Sequence, residues 1–164
     1  MTKYIICLAG GILLLSGCGN NAGETALEKQ IEKETGADAD VDISKDRMHI
    51  TGETEDGSFS LSSGEGIQIP DNFPSDILIY KPSELKATID TPNGQSLTFA
   101  TADDVDTVIG AYKREMKAEG WAEKASMNMG QQSMLVYQKS NRAVQITAGQ
   151  SGGQTQILLL FGDK

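Results

Sequence analysis

The chain is poor in several residue types that carry chemistry. It has two cysteines, one histidine and one tryptophan in 164 residues, and aromatics are only 5%. A single histidine leaves little room for His-based metal clusters or for a hydrolase with its own base. Basic residues are scarce: 14 Lys+Arg stand against 23 Asp+Glu, a formal net charge of −9. No basic run is present, so phosphate neutralisation is not available and nucleic acid is excluded as a partner. Long apolar runs are also missing. The one such stretch, Ile5–Leu15, falls short of the roughly 17–25 residues that a spanning helix requires. Length allows one domain, or one and a fragment.

What the N-terminus does contain is organised. Met1-Thr2-Lys3-Tyr4 is a short n-region with one positive charge, and the apolar stretch behind it has the length of a secretory h-region. Leu15-Ser16-Gly17-Cys18 follows directly. These four residues resemble the lipobox of bacterial lipoproteins. The resemblance implies a diacylglycerol thioether on Cys18, cleavage after Gly17, and N-acylation of the new terminus. Cys7 would leave with residues 1–17, and Cys18 would be an acylated rather than a free thiol in an oxidising compartment. The expected partner of Cys18 is therefore membrane lipid, held by two or more acyl chains. Gly19 is not Asp, which for this class implies the periplasmic face of the outer membrane in a Gram-negative cell. In a one-membrane cell the same anchor implies the outer leaflet of the plasma membrane.

Residues 18–25 read as the lipidated cysteine and a small, polar tether. Thr25 and Glu28 form a capping-box pattern for a short helix that Gly36 stops. Alternation then marks strands: Ala39, Val41 and Ile43 on one side, Asp38, Asp40 and Asp42 on the other, followed by runs around Met48–Ile50 and Phe59–Leu61. Residues 26–66 thus read as a short helix plus a three-stranded meander. Pro70, Pro74 and Pro82 mark a junction, with Ile77–Tyr80 as an extended segment entering the second unit.

Residues 67–164 carry the clearer pattern. A hairpin closes at Thr91-Pro92-Asn93-Gly94. A helix follows, with Thr101 and Asp104 as a capping pair and an apolar stripe through Val105, Val108, Ile109, Tyr112 and Met116. Gly120 ends it, and Trp121 is expected to pack back on Met116 in a Schellman ending, buried against the sheet. Four strand-like runs complete the chain. The fold class is α+β: an antiparallel sheet with one main helix across it, ββα followed by a four-stranded meander, preceded by the short helix and small meander. The spacing Tyr112, Met116, Gly120-Trp121 resembles a Y-x3-M/L-x3-G-W corner of bacterial envelope lipoproteins, a group that brings no settled activity with it.

Four patterns bear on chemistry. Gly149-Gln150-Ser151-Gly152-Gly153 spells G-x-S-x-G, but a strand rather than a helix follows, so it reads as a hairpin loop. His49 alternates with Met48 and Ile50 and faces the polar side of its strand. Asp38, Asp40 and Asp42 begin like a calcium loop, yet Ile43 replaces the required Gly and His49 the required Glu. Met127, Met129 and Met134 offer thioethers suited to Cu(I); strand alternation reads them instead as core filler. No catalytic residue, metal ligand or cofactor is assigned on this basis. The function read from sequence is a non-enzymatic envelope lipoprotein that binds an envelope protein or cell-wall component. The alternatives are a metal-handling protein, for copper or calcium, and a cell-wall-acting enzyme using two carboxylates.

Overall fold

The computed structural model describes residues 20–163. The signal-like segment and the lipobox with Cys18 lie outside them. Among the described residues, two helices and nine strands follow the order α1 (Asn20–Thr35), β1 (Asp38–Ile43), β2 (Arg47–Thr54), β3 (Gly57–Gly64), β4 (Glu84–Thr91), β5 (Gly94–Thr101), α2 (Val105–Ala118), β6 (Ala122–Asn128), β7 (Gln132–Lys139), β8 (Arg142–Ser151) and β9 (Gln154–Asp163). No described helix is long and apolar enough to cross a membrane.

All nine strands join one antiparallel sheet in the order β1-β2-β3-β4-β5-β9-β8-β7-β6. The α+β class with an antiparallel sheet is as the sequence implies. Strands read as separate groups are instead continuous: Leu61 of β3 pairs with Ile89 of β4, so the sheet passes through the proline-rich junction. The connection from β5 to β6 carries α2 over the sheet to its far edge. β7, β8 and β9 then return until β9 pairs with β5.

The face beneath α2 holds the main core. Val108, Tyr112 and Met116 meet Leu135, Tyr137, Val144 and Ile146, all within 1% of full burial. The junction 65–83 forms no strand. Instead, Ile77 and Tyr80 enter this core, and Phe73 stacks edge-on against Phe161 at 6.2 Å. The apolar Ile77–Tyr80 run therefore supplies core side chains rather than a ladder.

α2 begins at Asp104, whose carboxylate accepts from the Thr107 backbone N–H at 2.8 Å. Thr101 is not the cap; it sits buried in β5 and donates to the Pro82 carbonyl at 2.7 Å. The helix end matches the expected Schellman geometry: Trp121 N–H donates to Met116 O at 2.9 Å and Gly120 N–H to Lys117 O at 3.1 Å, with Gly120 at φ 80°. Trp121 is 3% exposed.

α1 is already helical at Asn20, the first described residue, so the described part of the expected 18–25 tether is helix and Thr25 lies within it, not at its cap. Glu28 does not close a capping box. Its Oε1 accepts from the Val41 backbone N–H at 3.4 Å, while Glu24 Oε1 accepts from Ile43 N–H at 3.0 Å. Four helical residues advance about 6 Å and two strand residues about 6.8 Å. Two glutamates four apart can therefore satisfy two successive free N–H groups on the outer side of the edge strand β1. The other edge, β6, carries a register shift between Glu123 and Ala125, which leaves Lys124 at a bulge; bulges and lysines discourage edge pairing.

Candidate functional site

The face of β1–β4 that continues the α2 side is polar, because its strands present Asp and Ser residues where β7 and β8 present Leu and Ile. Paired register aligns Asp40, Thr51, Ser60, Asp90 and Gln95 across five strands. At the end of this surface nearest the β2–β3 turn lies an open cleft of about 920 Å³. Five carboxylates line it: Asp38 and Asp40 from β1, Glu53 from β2, Asp56 from the turn and Asp90 from β4. Its lining contains no Lys, Arg or His.

Pro92 gives the cleft an apolar edge, and Phe59 reaches it from the strand while its ring lies on the other face of the sheet. The Phe59 ring lies over Gly52 so closely that a Cβ there would come within 2.6 Å of it, so glycine is what lets the ring lie flat on the strand. Asn72, from the junction, forms part of the wall. Gln95 Nε2 donates to Asn72 Oδ1 at 2.6 Å and to Asp90 Oδ1 at 3.1 Å, which fixes the Asp90 carboxylate. Five carboxylates with no base among them attract a cation large enough to reach several of them.

A single metal ion fits less well. Alternate residues on a strand stand about 6.8 Å apart, and Asp42 turns from the cleft toward Arg47 at 3.8 Å. Among the described residues, no group of three His, Cys, Asp or Glu side chains converges as a metal site.

His49 lies on the same polar face, between Asp42 and Ser62 in register, and its Nδ1 shares a 2.8 Å hydrogen bond with Ser62 Oγ. The row Asp42–His49–Ser62 has the residue types of a hydrolytic triad. It sits on paired strands, whose backbone N–H groups are committed to the ladder, so the ladder around it supplies no oxyanion donors. The Gly149–Gly153 segment is a β8–β9 hairpin: Ser151 pairs with Gln154 across Gly152-Gly153, at φ 59° and 81°.

Met127 and Met134 share a face, as alternation implies, but the face is not the covered one. Met127 pairs directly with Met134, but on the face opposite α2, and Met127 is 46% exposed. Met129 lies beyond β6 and is 58% exposed. They do not fill the core. Together with Ile89 and Leu160 they make the apolar portion of an open sheet face. A second cleft of about 540 Å³ lies there, between Met129 with Gln131–Gln132 and the strand residues Thr147 and Leu158.

The sequence pattern singles out Asp38 and Asp40 but not Glu53, Asp56, Asn72 or Asp90. These come together through strand order, which local periodicity does not encode. The nearest signal in the sequence is the acid-rich stretch 38–56, where seven carboxylates outnumber two basic residues.

Residues 83–156 match the family model described as START domain-like. The matched region runs from the entry to β4 into β9 and includes α2; α1 and β1–β3 lie outside it. No curated protein and no solved structure matches the chain.

Proposed function

We propose that the chain is a lipid-anchored envelope lipoprotein, held through acyl chains on Cys18, whose folded body binds a cationic partner without catalysing a reaction. The observation that carries the binding half is the cleft with five carboxylates and no basic residue in its lining. The START domain-like match supports a binding module over an enzyme, since such domains generally bind. A Lys/Arg-rich segment of an envelope protein, or an amine-bearing cell-wall component, has the complementary chemistry. The location is the periplasmic face of an outer membrane, or the outer leaflet where only one membrane exists.

Calorimetric titration of the detergent-solubilised chain with a basic peptide tests the binding half. The expected result is salt-sensitive binding that weakens several-fold in Glu53→Gln/Asp56→Asn; equal binding of a neutral peptide would refute it. Labelling with an alkyne fatty acid tests the anchor. Wild type should take the label and Cys18→Ala should remain an unlabelled precursor.

The outward placement of Met127 opposite Met134 favours one second reading, Cu(I) handling. A Met127→Leu/Met129→Leu/Met134→Leu variant should then lose competition with a Cu(I) chelator while keeping its fold, because Leu/Met swaps cost under about 1.5 kcal/mol each. No competition by wild type would exclude copper.

A further inference from the structure

We infer that α1 acts as a stand-off that fixes the body on the membrane, with the β1–β2 turn toward the lipid and the acidic cleft turned away. The inference rests on the anchoring reading above and adds an orientation to it. Three features of this chain lead there.

The link is short. Cys18 is two residues before Asn20, the first described residue of α1, and two peptide units span at most about 7.6 Å. α1 is also clamped. Glu24 meets Ile43 and Glu28 meets Val41, so the helix runs antiparallel to β1 and its first residues point past the β1 end toward Ser44. Asn20 is four residues before Glu24, about 6 Å further along the axis. The described chain therefore leads toward its anchor past the β1–β2 turn and not beside the cleft.

The third feature is charge. The anchored end is the less acidic one: Lys45 and Arg47 offset two of the four carboxylates Glu24, Asp42, Asp46 and Glu65. At the other end of β2, Glu53, Glu55 and Asp56 join Asp38 and Asp90, with no basic residue in the cleft lining. An anionic leaflet repels that end, within the range set by salt screening. A body on a short link is thus turned so that its binding cleft faces outward, where a partner can reach it.

The test uses the full acylated chain in vesicles of phosphatidylethanolamine and phosphatidylglycerol containing headgroup-attached nitroxide lipids. Lys45→Cys and Glu55→Cys place a fluorophore at the two ends of β2, about 24 Å apart. With flotation confirming attachment, the label at 45 should be quenched several-fold more than the label at 55. The contrast should shrink when Glu24→Ala/Glu28→Ala releases the clamp, with the circular dichroism of the sheet unchanged. Equal quenching at both positions in floating vesicles would overturn the orientation and leave the anchor standing. A contrast that survives loss of both glutamates would overturn the role of α1. A chain that does not float would remove the anchoring reading and this inference together.

Discussion

Trp121 donates its indole N–H to the main-chain carbonyl of Asp76 at 2.9 Å, joining residues 45 apart in sequence. The same Asp76 turns its carboxylate to Arg142, accepting from both guanidinium nitrogens at 2.9 and 2.7 Å, and to Lys139 Nζ at 2.7 Å. Arg142 in turn lies 5.0 Å from the Trp121 ring centroid. One residue of an irregular junction thus holds the end of α2 to β7 and β8. Its carbonyl takes the indole, its carboxylate takes the cations, and the cations cover the ring.

Trp121→Ala removes the ring from a corner where it is 3% exposed. The expected cost is about 3–5 kcal/mol, read as a fall in the urea midpoint. Trp121→Phe keeps most of the apolar area but leaves the Asp76 carbonyl without its donor, so it should cost about 1–2 kcal/mol. An unchanged midpoint in both would mean that the corner does not hold the junction.

The Asp76 carboxyl is held down to about 2 by the Arg142 hydrogen bonds, against an opposing push from partial burial, with Lys139 adding to the lowering. A depressed carboxyl stabilises the fold above its unfolded value near 4 and loses that contribution as pH falls toward 2. With 19% of the side chain exposed, solvent screening reduces the effect to about 1–2 kcal/mol. The stability gap between wild type and Asp76→Asn should be full at pH 6 and close between roughly pH 4 and 2. A gap independent of pH over that window would show that packing, not charge, makes the corner.

Much of this architecture is legible locally. The stripe Val105–Met116, the Gly120 stop and the buried Trp121 follow from helical period and left-handed glycine geometry, and the structure has all three. Strand alternation correctly places Asp38, Asp40 and Asp42 opposite Val41. Alternation fixes which residues share a face but not which face is covered. Met127 and Met134 therefore do share a face, and it is the open one. Glu28 has the spacing of half a capping box, but its reach to a neighbouring strand depends on tertiary packing. Asn72 and Asp90 join the cleft only because the junction folds back over β4 and β5, an arrangement without a periodic signature.

Two glycines separate local from tertiary demands, and substituting each should move stability in opposite directions. Gly94 adopts φ 147° at the β4–β5 turn, and a Cβ there would lie 2.3 Å from the Phe161 carbonyl oxygen on β9. Alanine must strain its own backbone and push apart two paired strands, neither of which is a flexible side-chain tip. Gly94→Ala should cost about 2–4 kcal/mol. Gly110 stands inside α2 on its exposed side, with nothing within 4 Å of the place an alanine methyl would take. There glycine only adds unfolded-state freedom, so Gly110→Ala should raise stability by about 0.5–1 kcal/mol. Thermal melts of the two single variants and the double variant read both effects, and the double should equal their sum because the sites share no partner. A destabilised Gly110→Ala would mean that something packs on the outer side of α2 in solution, and a neutral Gly94→Ala would mean that the β5–β9 ladder opens at its Phe161 end.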